Sequence, residues 1–347
     1  MNRPVLAICD TESRYCGRLD EYLRKNLNLS FDIHSFTKVK SLEEFAGKNL
    51  ISLLVIAESA VAELKKKACE SGVKNILILD EELSIVREDE EAFEEDAALG
   101  VNSEHISKFS PASEIVYHIL DLCAKSPEDF ESVGVRRSDG KGTVIGLYSP
   151  IARCGQTALS VKLCEELSKH GKTMLLNFDN FSPLPMIFGT ETEGDITDLL
   201  YYSECEKSRF CIYLEKIKQS IGGFDYIPPA ATAMQIKEID YERLKNLIEL
   251  IFKECGYEYM VLDLSDLPGG LYDILRYCNK VITIMGKTKA DGYKLRKYEE
   301  VLSQNGYEDV CAAGVKITIP EGAGDRELAA CARDLLYTEG ITGGEKI

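Results

Sequence analysis

The chain has 347 residues, a length typical of two domains, and its 45% hydrophobic content is enough for ordinary globular cores. Its formal net charge of -17 gives a negative field that repels nucleic-acid phosphate and anionic lipid, so we expect no nucleic-acid partner. No apolar run reaches the about 18 residues that a membrane-spanning helix needs. The N-terminus carries no cleavage-site pattern, so we expect a cytoplasmic protein without a signal peptide.

The cysteines scatter through the chain and form no C-x-x-C pair. There are 12 of them, and the 4 histidines lie far apart. Several, such as Cys9, Cys164 and Cys278, sit in apolar segments. This pattern favours buried reduced thiols over a disulfide framework, and it offers no ligand spacing for zinc.

Short strand patterns, followed by helical patterns, occupy residues 1–124. We predict five strands here: Val5–Cys9, Phe31–Phe36, Ser52–Ala57, Asn75–Leu79 and His105–Lys108. Repeated β/α units in so short a segment predict a doubly wound (βα)5 sheet of the flavodoxin-like kind.

Residues 125–141 differ in composition from both flanks. They combine Pro, Gly, Ser and mixed charges without a period, which predicts a linker. Before it, the acidic run Glu88–Asp96 has two interpretations. It is either a solvated face or loop, or a docking surface for a basic partner.

A second series of strand and helix patterns fills residues 142–347. Helices are predicted at Thr157–His170, Tyr241–Cys255, Tyr293–Ser303 and Arg326–Tyr337. Strands are predicted at Thr143–Tyr148, Thr173–Asn177, Tyr226–Ile227, Met260–Leu264, Lys280–Met285 and Val310–Val315. The pattern predicts a second, mostly parallel α/β sheet.

A loop with anion-binding geometry lies at the start of this second block. It joins the predicted strand Thr143–Tyr148 to the helix that begins near Thr157. A tight turn into a helix N-terminus directs backbone N–H groups and the positive end of the helix dipole at a ligand. We therefore expect an anion-binding loop made of Arg153, Cys154, Gly155, Gln156, Thr157 and Ala158.

This loop resembles the deviant Walker A motif of the MinD/ParA family, S-x-K-G-G-x-G-K-T. Ser149, Gly155 and Thr157 fit that motif. The family's signature lysine falls on Ile151, and its main phosphate lysine falls on Gln156. The resemblance extends over nearly all of residues 142–337 and implies a P-loop ATPase fold whose loop lacks both lysines.

Two further segments carry the same resemblance. Leu176–Asp179 is similar to the family's L-D-x-D, with Asn177 for the first acid, which implies Asp179 as the candidate catalytic acid near the attacking water. Gly256–Leu264 resembles the segment that ends in the Walker B acid, which implies that role for Asp263. Asn279–Met285 is similar to the strand that leads to the base-binding region.

The resemblance implies ATP or ADP with Mg²⁺ as the cofactor, with Thr157 and Asp263 at the metal. A loop lysine neutralises charge on the transferred phosphate, and such contacts contribute most of the catalysis. Its replacement by Gln156 predicts weak binding, or none, and negligible hydrolysis. Arg153 could supply a substitute cation or be a simple exposed loop residue, and Asp179 and Asp263 also have purely structural interpretations.

The first block resembles a response-regulator receiver domain. Asp10 and Glu12 correspond to the family's acidic pair, and Lys108 to its lysine. The phosphoacceptor position falls on Ala57. Glu58 lies one residue later, and a one-residue shift along a strand turns a side chain to the other face. We therefore expect no phosphoacceptor and a protein-interaction module on a receiver scaffold.

A pseudo-receiver followed by a MinD/ParA-like domain is similar to the CpaE/TadZ proteins of the Tad (Flp) pilus. The segment Ile221–Ala230 suits that group better than chromosome-partition relatives. The resemblance implies a localisation or assembly factor whose partners are other pilus assembly proteins. Two alternatives stay open. One is an active ATPase switch that dimerises on ATP, and the other is a regulator of flagellar placement, partition or another positioning task.

The C-terminal residues bear on membrane attachment. Lys346 is the only basic residue after Arg333, which argues against the basic amphipathic tail that MinD-like proteins use. We expect no direct membrane anchor, and recruitment to the inner face of the membrane or a cell pole by a protein partner. A homodimer is a further expectation.

Overall fold

The structure is a computed structural model that describes residues 3–27, 29–61, 63–64, 73–81, 102–130, 141–190, 194–320 and 322–342. The chain divides into two compact units. The first contains Met1–Val135 and Cys211–Lys216, and the second contains Arg136–Phe210 and Ile217–Ile347. The acidic run 88–96, the predicted linker from 131 to 140 and Lys346 lie outside the described residues. None of the helices within the described ranges combines the length and apolarity that crossing a bilayer requires.

The first unit is built on one parallel five-stranded sheet. Its strands are β1 (Val5–Cys9), β2 (Asp32–Phe36), β3 (Leu53–Ala57), β4 (Asn75–Asp80) and β5 (Asn102–Ser107). Its described helices are α1 (Ser13–Asn26), α2 (Val39–Ala46), α3 (Glu58–Val61) and α4 (Ala112–Lys125). The strand order β2-β1-β3-β4-β5 is the flavodoxin-like order, which confirms the predicted fold class.

Burial explains why these strands read as nearly continuous apolar runs. Every residue of β3 is buried, because helices cover both faces of a parallel sheet. In α1 the buried positions Cys16, Leu19 and Leu23 recur at helical spacing and face the core. Phe130 is also buried and packs edge-on against Phe31, so the packed part of this unit extends beyond residue 124.

The second unit contains a seven-stranded sheet. Its strands are β6 (Thr143–Leu147), β7 (Thr173–Asn177), β8 (Gln219–Ile221), β9 (Phe224–Ile227), β10 (Tyr259–Asp263), β11 (Lys280–Ile284) and β12 (Gly314–Ile317). Its helices are α5 (Gln156–Leu167), α6 (Leu184–Phe188), α7 (Ile196–Cys205), α9 (Ala233–Lys237), α10 (Tyr241–Cys255), α11 (Leu271–Tyr277), α12 (Lys289–Gln304), α13 (Glu308–Ala313) and α14 (Asp325–Thr338). Helix α8 (Phe210–Ile217) lies between α7 and β8 in the chain, and its residues 211–216 belong to the first unit.

The order of this sheet is β12-β11-β6-β10-β7-β9-β8, and all pairs are parallel except β8 with β9. This confirms the mostly parallel sheet expected for the second block. Strand β6 lies between β11 and β10, so the loop after β6 opens among the carboxyl ends of its neighbours. In open α/β sheets, ligands bind in such crevices.

Two predicted elements differ from the structure. The predicted strand Val310–Val315 was wrong, because the chain forms helix α13 and then enters β12 at Gly314. Alanines at the middle of that apolar run favour a helix, which an apolar run alone does not distinguish from a strand. The predicted short strand Tyr226–Ile227 is the end of β9, which forms a hairpin with β8.

The turn of that hairpin depends on two glycines. Gly222 and Gly223 have φ of 57° and 96°, the left-handed region at both central positions. A two-residue turn of this kind matches the twist of the strands it joins and strongly favours Gly-Gly. The hairpin adds the antiparallel edge strand β8 to a sheet that is otherwise parallel.

Candidate functional site

The loop from β6 to α5 is fixed at its start by Ser149. The Ser149 Oγ hydroxyl donates to the Ile284 carbonyl at 2.7 Å and accepts from the Ile151 N–H at 3.2 Å. Arg153 (φ 57°) and Gly155 (φ 85°) then take left-handed conformations before α5 begins. Such turns direct successive N–H groups into one concavity, which is the form of an anion-binding nest.

All of the predicted site residues line a single cleft of about 700 Å³ beside this loop. They are Arg153, Cys154, Gly155, Gln156, Thr157, Ala158, Asp179 and Asp263. They meet because the loops after parallel strands β6, β7 and β10 emerge at the same edge of the sheet. Ile151, at the signature lysine position, also lines the cleft, and its side chain is buried.

Gln156 is bound to the protein itself. Its Nε2 donates to Asp263 Oδ1 at 2.7 Å and to the Leu264 carbonyl at 2.8 Å. A side-chain amide has two N–H donors, and both are used here. Asp263 Oδ2 accepts from Asn177 Nδ2 at 2.6 Å, and Thr157 adds a further side-chain hydrogen bond.

Asp263 is therefore a buried carboxyl surrounded by neutral donors. Burial raises its pKa, and the hydrogen bonds from Gln156, Thr157 and Asn177 offset part of that rise. Its hydrogen-bonding partners include no lysine or arginine among the described residues. The position predicted for the Walker B acid is thus satisfied without a cation.

Asp179 lies on the wall of the same cleft with an exposed side chain. Its backbone N–H donates to Asn177 Oδ1 at 3.2 Å, so Asn177 joins the two acids through its two amide atoms. Partial loss of solvent raises the pKa of Asp179. The arrangement positions Asp179 beside Asp263, and its catalytic role stays a prediction.

Two cations line the cleft within the described part of the chain, Arg153 and Lys294. Lys294 lies on α12, is exposed, and makes no hydrogen bond or salt bridge with any described residue. Sequence reasoning missed it, because nothing in the residues around it indicates a site. The cleft also contains three carboxyls, those of Asp179, Asp263 and Asp266. Asp266 accepts from the Tyr148 hydroxyl at 2.5 Å.

A second cavity of about 470 Å³ adjoins the other side of the loop. Its lining combines Met285–Thr288, which follow β11, with the apolar side chains of Ile319 and Leu328. The region predicted to lead to a base-binding pocket therefore opens next to the loop. Its lining mixes apolar and polar side chains, as ligand-binding cavities commonly do.

The predicted Mg²⁺ ligands are close together but engaged with each other. The Thr157 side chain hydrogen-bonds to Asp263, whose two oxygens also hold Gln156 and Asn177. No cluster of three or more His, Cys, Asp or Glu suited to a metal occurs in the described ranges. The two loop positions expected to carry lysines hold Ile151 and Gln156, and the loop cation that lines the cleft is Arg153.

In the first unit, Lys108 forms the centre of a buried charge cluster. Its Nζ lies 2.8 Å from Asp10 Oδ2, 2.9 Å from Glu81 Oε1 and 3.8 Å from Glu12 Oε2. Burial lowers the pKa of Lys108, but hydrogen bonds to Asp10 and Glu81 outweigh it and raise that pKa overall. The same hydrogen bond holds the pKa of Glu81 below its usual range.

The predicted receiver residues Asp10, Glu12 and Lys108 are thus together. Lys108 follows β5 rather than ending it, since that strand is Asn102–Ser107. Ala57 is buried at the end of β3, at the position where the receiver resemblance places the phosphoacceptor. Sequence reasoning missed Glu81, which follows β4 and supplies a carboxylate to Lys108.

No protein-family model matches the chain, and no curated protein matches it. Solved structures similar to it include a ParA family ATPase from Chlorobium tepidum, 17% identical, covering 57% of this chain and 92% of that one, with a TM-score of 0.42. A MinD septum site-determining protein complexed with Mg-ADP from Pyrococcus horikoshii is 16% identical over 60% of this chain and 100% of that one, with a TM-score of 0.42. A plasmid partition protein from Borrelia burgdorferi is 18% identical over 57% and 99%, with a TM-score of 0.43. At these values the likenesses carry no inference about function.

Proposed function

We propose that the chain is a localisation or assembly factor of a Tad (Flp) type pilus, similar to CpaE/TadZ, with a degenerate nucleotide site. It binds ATP or ADP weakly or not at all and hydrolyses ATP negligibly. One observation carries the degenerate-site part of the proposal, namely that both N–H donors of Gln156 are bound to Asp263 and Leu264. The loop therefore presents neither a charge nor a free amide from this position.

The energetic consequence is large. Removing one contact that stabilises developing charge in a transition state typically costs about 3–4 kcal/mol, or a factor of 10²–10³ in rate. Here the signature position is occupied by the buried, apolar Ile151 as well. A loop without these two lysines retains its anion-binding backbone but lacks the charges that would stabilise cleavage of a phosphoanhydride bond.

The first unit supports a scaffold role in the same way. Ala57 offers no phosphoacceptor, and Lys108 is already paired with Asp10 and Glu81. A receiver scaffold of this kind would act as an interaction module that does not depend on phosphoryl transfer. Incubation with acetyl phosphate is expected to leave the purified chain unlabelled, and stoichiometric aspartyl phosphate would contradict this part of the proposal.

Binding of nucleotide tests the degenerate site. Titration of the purified chain with Mg-ATP is expected to give weak or no heat of binding, and Gln156→Lys to tighten binding at least tenfold, because the ammonium adds a charged phosphate contact. Gln156→Met is the matched control, with similar length and neither N–H donor nor charge. Tight binding by the wild type, unchanged in both variants, would contradict the proposal.

A second candidate is an active ATPase switch with ATP-dependent dimerisation, acting in pilus, flagellar or other polar positioning. The observation that favours it is the presence of Arg153 and Lys294 on the cleft wall. Light scattering with and without Mg-ATP separates the two candidates. A monomer that becomes a dimer on ATP supports the switch, and an unchanged mass supports the degenerate site.

A further inference from the structure

The segment that follows β7 exposes three large apolar side chains. Phe181 is 88% exposed, Met186 80% and Ile187 60%. Single exposed apolar residues are ordinary, but several within one short segment form a patch of the kind that marks an interaction site. We refer to these three side chains, Phe181, Met186 and Ile187, as the apolar edge.

The backbone that carries the apolar edge is anchored in the core. Phe178 and Leu184, on either side of Phe181, are fully buried. Phe188 packs edge-on against Tyr226 at 5.2 Å between ring centroids. Phe181 also has φ of 61°, a conformation that bulky residues rarely adopt. The folded segment therefore keeps these apolar side chains exposed to solvent. At Phe181 it does so although the residue adopts an unfavourable left-handed backbone conformation.

The segment that carries the apolar edge is acidic in sequence. Between Thr173 and Glu206 the sequence contains seven Asp or Glu and no Lys or Arg. Asp195 and Asp198 begin α7, where the Ile196 N–H donates to the Pro228 carbonyl just after β9. Since β9 pairs with β7, these acids and the apolar edge lie at the same edge of the sheet.

The acids at this edge are open to a cationic partner. Asp195 and Asp198 accept only backbone N–H groups and the Thr197 hydroxyl in the described part of the chain. Asp179, two residues before Phe181, has no salt bridge there either. Apolar side chains flanked by uncompensated carboxylates are complementary to a surface that is apolar in its centre and basic at its margins.

We propose that the apolar edge and its acids dock a basic amphipathic helix of a partner protein. The apolar face of that helix covers Phe181, Met186 and Ile187, and its lysines or arginines face Asp179, Asp195 and Asp198. A second copy of the chain is the poorer occupant, because a net charge of -17 on each copy opposes their approach. The docking surface does not depend on whether the cleft binds nucleotide.

A designed peptide tests the surface directly. The probe is a fluorescein-labelled, 18-residue helix of Leu and Lys, read by fluorescence anisotropy against the full chain. We expect saturable binding that Phe181→Ser with Met186→Ser and Ile187→Ser weakens at least tenfold. Asp195→Asn with Asp198→Asn is expected to weaken it by a smaller factor that shrinks further at high salt, because asparagine preserves the helix cap but not the charge.

Two controls separate this surface from general attraction to an acidic protein. Leu50→Ser with Tyr337→Ser removes exposed apolar side chains elsewhere and is expected to leave binding unchanged. A peptide of the same length made of Leu and Glu is expected not to bind. Equal binding by both sets of variants, or no binding of the Leu/Lys helix to the wild type, would overturn the proposal. So would sedimentation of the wild type as a dimer that the apolar-edge variant converts to a monomer, because the occupant would then be a second copy.

Discussion

At the scale of single residues, the hydrogen bonds that the polar side chains of the cleft make within the protein determine which groups are left to bind a ligand. The Gln156 amide donates to Asp263 and to the Leu264 carbonyl. The Asn177 amide donates to Asp263 and accepts from the Asp179 backbone N–H. Neutral amides stabilise a buried carboxyl without a metal or a lysine. Gln156 and Asn177, the residues that differ from the MinD/ParA motif here, therefore belong to one hydrogen-bonded cluster around Asp263.

Lys108 is expected to be a large single contributor to the stability of the first unit. Its ammonium is 7% exposed and contacts Asp10, whose side chain is fully buried. Removing one partner of a buried pair leaves the other charge without compensation, so Lys108→Met should cost about 3–5 kcal/mol in urea unfolding. Lys74→Met, which removes an exposed ion pair with Asp129, is the control and should leave stability nearly unchanged.

Asp225 should make the second unit sensitive to acid. Although burial raises its pKa, Lys218, Ser220 and Tyr257 outweigh burial and lower that pKa overall. A depressed carboxyl pKa gives stability that is present above the ordinary value near pH 4 and is lost as pH falls through the depressed one. Asp225→Asn should cost about 1–3 kcal/mol at pH 7 and flatten the loss below pH 4. An unchanged acid limb in the variant would contradict this assignment.

Several residues of the site could be predicted from the sequence, and others could not. Ser149, Gly155, Asp179 and Asp263 follow strands or open a helix, and parallel strands bring such positions to one edge. Lys294 lies in α12, and its sequence context is typical of a solvent-exposed helix face. Only the fold shows that this lysine lines the cleft. Glu81 follows β4, and only the fold shows that its carboxylate accepts from Lys108.

At the scale of elements, strands β6 and β7 and helix α10 are near their predicted bounds because their apolar patterns are long and regular. Strand β8 was not predicted, since its three residues are partly exposed and only the Gly222–Gly223 turn marks the hairpin. Helix α13 was predicted as a strand because a short apolar run fits both.

Glycine replacements test how closely the elements pack. Gly17 lies in the exposed middle of α1 with nothing near its missing Cβ, so Gly17→Ala should stabilise the chain by about 0.5–1 kcal/mol. In β6, a Cβ on Gly146 would lie 2.8 Å from Cys278 Sγ, so Gly146→Ala should destabilise it by about 1–3 kcal/mol. Thermal unfolding of both variants checks the two signs, and equal shifts in one direction would show that local packing does not decide them.

At the scale of the whole molecule, the candidate site residues of each unit lie at the carboxyl ends of the parallel strands of its sheet. In each unit the residues expected to act on phosphate are present in part, because Gln156 stands at the loop-lysine position of one unit and Ala57 at the phosphoacceptor position of the other. Both departures are consistent with the proposed function, in which the chain acts by binding partners.

Steady-state ATP hydrolysis by the purified full chain tests this central claim most directly. With saturating Mg-ATP, we expect a turnover well below about 0.01 per second, since Ile151 and Gln156 stand where the two loop lysines are expected. A rate at or above that value, abolished by Thr157→Ala, would contradict the account. If Lys294→Ala also abolished it, the cation that replaces the loop lysine would be identified.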